Sequence, residues 1–153
     1  MSSTAKGEPI RLRCSQNDAQ VVVDPEDEDE FFMRIHEAMR ACRIYDGYKS
    51  IFRNEFDYLK GTLGRWLRDH ASKIEKAFLT LQKARMLFLV IMCDGAYDEE
   101  LEDELTDLEL RVALDPEFSQ IHLDVQALSK SSENCCMSFC NPDWTLEYVM
   151  PDA

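Results

Sequence analysis

Glycine is scarce, with five in 153 residues. That scarcity excludes a glycine-rich phosphate cradle, which needs several glycines within one turn, and no Gly-x-Ser-x-Gly nucleophile elbow occurs. Histidine is scarcer still: His36, His70 and His122 lie on separate segments, so none pairs with another at a metal-ligand spacing. Long apolar runs are also missing. The longest uncharged one, 86–93, holds eight residues, whereas a membrane-spanning helix needs about 20. Met1 to Lys6 is polar and small, without the apolar core of a secretory signal or the arginines of a transit peptide. The chain is therefore expected to be intracellular, cytoplasmic or nuclear. Positive charge is the last deficit. Seventeen basic residues against 30 acidic ones leave a net charge of -13, whose far field repels nucleic acid and anionic membrane surfaces.

What is present describes one globular domain. A composition 45% hydrophobic and 31% charged is neither disordered nor membrane-embedded, and a chain of this length buries enough surface to fold without disulfides or a structural metal. The six cysteines, Cys14, Cys42, Cys93, Cys135, Cys136 and Cys140, are expected as free thiols in a reducing compartment. Cys135, Cys136 and Cys140 are clustered, but no second Cys or His pair stands at zinc-site spacing. Asp94 to Asp98 fails as a calcium loop, because its glycine is second instead of sixth and position twelve is Leu105. No metal and no cofactor is implied.

Periodicity predicts an all-α fold, a bundle of about five helices at 25–130, with an N-terminal arm at 1–24 and a C-terminal aromatic tail at 131–153. Asp24-Pro25-Glu26 places an N-cap, a first-turn proline and first-turn acids, and the same device recurs at Asp115-Pro116-Glu117 and Asn141-Pro142-Asp143. Helix one carries Phe32, Ile35, Met39 and Cys42 at three- and four-residue steps, running to Asp46-Gly47. Helix two continues the rhythm through Tyr48, Phe52, Phe56, Leu59, Leu63 and Trp66. Ser72 and Glu75 have capping-box spacing, which starts helix three through Met92, apolar on all sides in its second half and hence central. Helix four spans about Asp98 to Leu114, helix five about Pro116 to Ser129, and the tail forms a short helix with Trp144, Leu146, Tyr148 and Val149. In the arm, the alternation at 10–14 and the valines at 21–23 fit either a short β-hairpin or an unpaired segment.

Charge is segregated along the chain: residues 34–86 carry +6 and residues 87–127 carry -11. If helix four folds back on helix three, Lys73, Lys76, Lys83 and Arg85 face Glu99, Glu102, Asp103 and Asp107 in a charge seam. Otherwise the basic face is free to meet an acidic partner. Val21-Val22-Val23-Asp24 followed by Glu26 to Glu30 resembles a SUMO-interaction motif. The resemblance implies that the valines add as a strand to a sheet edge of that modifier while the acids meet its basic surface. Trp144, Tyr148 and Phe139 either fold back to cap the bundle or, if the tail stands free, serve as anchors for a partner.

With no catalytic constellation in view, the expected function is that of a non-enzymatic adaptor or regulator. It would dock other proteins through Val21, Val22, Val23 and Asp24, through Glu99, Glu102, Asp103 and Asp107, and through Trp144 and Tyr148. An acidic mimic or chaperone of basic proteins such as histones is the alternative. Homo-oligomerisation is left open by the stripe from Phe32 to Trp66.

Overall fold

The computed structural model describes residues 9–14, 21–93, 98–129 and 138–149. It is a mixed α/β fold: three helices cover one face of a six-stranded sheet. The all-α five-helix bundle is thus corrected. Three expected helices stand: α1 (Glu28–Ala41), α2 (Lys49–Asp69) and α3 (Glu99–Leu114). The others are strands. The sheet contains β1 (Ile10–Cys14), β2 (Val21–Val23), β3 (Ile74–Gln82), β4 (Arg85–Met92), β5 (Leu123–Leu128) and β6 (Thr145–Val149), in the order β2-β1-β6-β3-β4-β5. The expected helix three is the β3–β4 hairpin, helix five is a loop followed by β5, and the tail helix is β6. The arm does form a hairpin, β1 antiparallel to β2, but it is no appendage, because β1 also pairs in parallel with β6.

The reason for the misassignment is physical. Ala77, Leu79 and Leu81 on β3, with Met86, Phe88, Val90 and Met92 on β4, point to the helices. Leu89 and Ile91 point to the opposite face, where Phe78, Leu128, Phe139 and Cys140 pack over them. A strand covered on both faces reads as a continuous apolar run, as a central helix does. The turn between β3 and β4 is equally silent in sequence, since the left-handed position at φ 56° belongs to Lys83 and not to glycine.

Two of the three Pro-containing helix starts are also corrected. Asp115 Oδ1 accepts from Glu117 N at 2.9 Å and Asn141 Oδ1 from Asp143 N at 2.9 Å. These are side-chain-stabilised turns with the same local bond as an N-cap and no helix behind it. The Ser72–Glu75 capping box does not form either: 71–73 is a single 3-10 turn that enters β3. Asp94-Gly95, which in the sequence reads as a left-handed glycine cap ending the expected helix three, lies outside the described residues.

The core sits between sheet and helices. Ile35, Ala38 and Met39 of α1, Phe52, Phe56, Leu59, Leu63 and Leu67 of α2, and Leu101, Leu105 and Leu108 of α3 are buried against Ile10, Leu12, Phe88 and Leu146. Connections of polar groups fix the layers. Buried Arg34 donates from Nη1 to Thr145 O at 2.9 Å, and buried Glu55 accepts from Ser119 Oγ, Gln120 N and Ile121 N at 2.7, 2.9 and 3.3 Å, which moors the loop after α3 to α2. Thr80 accepts from Asn141 N at 2.8 Å and donates to Trp144 O at 3.0 Å, tying the turn before β6 onto β3.

Candidate functional site

The surface features that can carry function lie on the helical layer, on either side of α2. Nine large apolar side chains are exposed among the described residues. Eight of them, Phe32, Met33, Tyr45, Tyr48, Ile51, Tyr58, Leu110 and Leu114, belong to the helices and the α1–α2 connection, and only Val22 lies on the sheet. Apolar exposure confined to one layer marks an interaction face more than scattered exposure does.

Between α2 and α3 runs a cleft of about 560 Å³ lined by Thr62, Arg65, Trp66, His70, Glu104, Leu110 and Arg111 among others. Trp66 and His70 sit one helical turn apart and stack at 4.2 Å between ring centroids. His70 Nδ1 meets Trp66 O at 2.7 Å, and its Nε2 meets Glu104 Oε2 at 2.5 Å. Both ring nitrogens are therefore engaged, and the imidazole is a tie between α2 and α3. Arg65 and Arg111 stand with Asp69, Glu104 and Asp107 around the same cleft, so both signs of charge line it. Toward the other end of α2, Tyr58 stacks on Phe118 at 5.1 Å and donates to Asp115 Oδ2 at 3.2 Å. The neighbouring carboxylate pushes the phenol above its ordinary range. Ile51 and Tyr58 line a further hollow with Pro116 and Ser119, so an apolar and aromatic strip continues along this side of α2.

The sequence-derived site residues do not converge. Glu99, Asp103 and Asp107 are exposed on α3 and Glu102 is half-buried. The expected charge seam is absent, because β3 and β4 replace the helix that was to carry it. Lys73 instead lies 3.8 Å from Asp98 and 4.0 Å from Glu100, and Arg85 forms a two-pronged pair with Asp124 at 2.9 Å. Among the described residues none of the four α3 acids has a cationic partner within 4.0 Å. At the far side of the sheet, β2 is an edge strand. Val21 is buried against Gly64 of α2, Val23 is half-buried, and Val22 alone is exposed. Asp24 accepts from Arg13 Nε at 2.8 Å and Nη2 at 3.2 Å, and that pair holds its carboxyl below the usual range. The valine motif thus offers a strand edge and one side chain, not an alternating set.

Trp144 and Tyr148 as free anchors are corrected: both are 2% exposed. Trp144 packs edge-on to Phe56 and donates from Nε1 to Arg34 O, and Tyr148 donates to Lys60 O at 3.0 Å. Burial pushes the Cys14 thiol up to about 11 and raises that of Cys42 as well, so neither thiol has the lowered pKa of an activated nucleophile. Cys135 and Cys136 lie outside the described residues. Among those described, no three His, Cys, Asp or Glu side chains are grouped to hold a metal ion, and no helix is long and apolar enough to cross a membrane.

Phe32 and Tyr48, read from the sequence as positions of the core stripe, are instead 43% and 47% exposed, with Phe31 buried in the place of Phe32; Tyr58 and Leu110 were not singled out in the sequence. Their signal was present as apolar residues beside, not on, the core stripes of α2 and α3. Comparison with known proteins adds no family assignment, because no family pattern, curated protein or solved structure matches this chain.

Proposed function

We propose that this protein is a non-enzymatic interaction module, an adaptor or regulator that recognises other proteins through its helical layer. The observation that carries the reading is the concentration of exposed large apolar side chains along both flanks of α2, eight of the nine among the described residues. Apolar surface with aromatic members and a charged rim is the composition of a docking face. The α2–α3 side supplies Ile51, Tyr58, Leu110 and Leu114.

A second reading, binding of basic proteins such as histones, is favoured by Glu99, Glu102, Asp103 and Asp107, whose carboxylates have no cationic partner within 4.0 Å among the described residues. One experiment separates the two. Protein with Tyr58→Ser and Leu114→Ser, and protein with Asp103→Lys and Asp107→Lys, are compared with the unaltered chain in proximity cross-linking in cell extract and in titration with a core histone at 50 and 300 mM salt. The adaptor reading expects loss of specific cross-links with the first variant. The acidic-chaperone reading expects histone binding that the second variant and the higher salt both weaken by about tenfold or more, since exposed charge pairs are screened within about 10 Å at 0.1 M. Turnover of a substrate that a single polar substitution abolishes would overturn both.

A further inference from the structure

One small cavity on the α1–α2 side of the helical layer has a basic rim, against the sign of the whole molecule, while the adjoining hollow that shares Phe32, Ile35 and Arg53 also includes Asp57. Phe32, Ile35 and Met39 of α1 form the apolar floor of a cavity of about 80 Å³, and His36, Lys49 and Arg53 stand around it. Arg53 lies over the Phe32 ring at 4.2 Å from its centroid, an arrangement that fixes the guanidinium while leaving its N–H groups able to donate. Among the described residues neither Lys49 nor Arg53 has a carboxylate within 4.0 Å, in a chain of net charge -13 where acids are plentiful. The first turn of α2 itself holds no acidic residue, although Asp46 stands in the 3-10 turn that leads into it. Met33, Tyr45 and Tyr48, on α1 and on the α1–α2 connection, are 59%, 73% and 47% exposed.

We infer that this cavity takes one apolar side chain of an acidic partner segment, whose flanking carboxylates meet Lys49, Arg53 and His36. The charge on the rim selects acids, and the apolar floor and small volume select an aliphatic anchor. A basic segment would face unpaired like charge at short range, which disfavours it. The distant field of the molecule opposes an acidic partner, so association is not accelerated by steering and proceeds near the unsteered rate of about 10⁵–10⁶ M⁻¹s⁻¹. The inference rests on the interaction-module reading but uses residues other than Tyr58, Leu110 and Leu114, so the two can fail separately.

The test is fluorescence anisotropy of the full-length protein with a labelled twelve-residue peptide carrying one leucine between aspartates, with amide shift mapping of the same complex. Two control peptides have lysines for the aspartates or alanine for the leucine. The expected result is binding of the aspartate–leucine peptide with shifts centred on Phe32, His36, Lys49 and Arg53. Lys49→Glu with Arg53→Glu should weaken it about tenfold or more, one decade being 1.4 kcal/mol, and so should Phe32→Ala. Tyr58→Ser with Leu114→Ser should leave it unchanged. All these positions are exposed, and unaltered far-UV circular dichroism verifies that each variant folds. Equal binding of the lysine peptide, indifference to the double reversal, shifts that map to α3, or no binding at millimolar peptide would overturn the inference. So would a dimer, seen by sedimentation, that Arg53→Glu dissociates and the peptide does not, since the occupant would then be a second copy.

Discussion

Arg43 decides where α1 stops. Its φ of 58° places it in the left-handed region. Arg43 N bonds Arg40 O at 3.0 Å and Ile44 N bonds Met39 O at 2.9 Å, the paired bonds of a Schellman cap with Arg43 where glycine is usual. A left-handed backbone costs an L-residue about 1–2 kcal/mol. Arg43→Gly is therefore expected to raise stability by about 1 kcal/mol in denaturant titration, after allowing for the greater freedom glycine brings to the unfolded chain. A neutral or destabilising result would mean the Arg43 side chain contributes contacts that offset its strain. The same residue shows why the boundary was not legible. The nearest glycine, Gly47, drew the expected end of helix one to 46–47, while an arginine gives no sign that it terminates a helix. Trp144 and Tyr148 illustrate the converse: as aromatics they were noticed, but whether such residues are anchors or core depends on Phe56, Arg34 and Lys60, which meet them only in space.

At the scale of elements, the helices were legible and most strands were not. Helices α1, α2 and α3 bury one stripe each, so the three-and-four spacing of Phe52, Phe56, Leu59 and Leu63 or of Leu101, Leu105 and Leu108 survives as a pattern. Strands β3 and β4 are covered on both faces and lose their alternation. Strand β5 is short and edges the sheet, and its protection is a side chain from another element: Glu109 Oε2 of α3 accepts from Val125 N at 3.0 Å. An edge amide otherwise open to pairing is thereby occupied by a carboxylate, a device that discourages edge-to-edge association. Glu109→Val should release that amide. Faster hydrogen exchange at Val125 and concentration-dependent self-association by light scattering are the expected outcomes. An unchanged exchange rate would show that the carboxylate does not guard the edge in solution.

For the whole molecule, the decisive pairing joins the two ends. Residues Ile10, Arg11, Leu12 and Arg13 lie in register with Leu146, Glu147, Tyr148 and Val149, so β1 and β6 are neighbours in the interior of the sheet although they stand near opposite ends of the sequence. This topology makes the arm and tail structural, contrary to what their position and loose composition suggest, and it places non-local contacts at the centre of folding. Without β6 the sheet divides into β2–β1 on one side and β3–β4–β5 on the other. Residues Trp144, Leu146 and Tyr148, all nearly fully buried, would also leave the core. Losing one large buried side chain costs about 2–5 kcal/mol, so losing three is comparable to the whole of the roughly 5–15 kcal/mol that stabilises an ordinary domain. Truncation after residue 140 is accordingly expected to abolish the cooperative thermal transition and to make the remainder protease-sensitive. Removal of residues 1–24 should do the same, because it strips both β1 and β2 from β6. A sharp melt retained by either shortened chain would show that the central helices and β3–β5 fold alone, and would return the ends to the role of detachable docking segments.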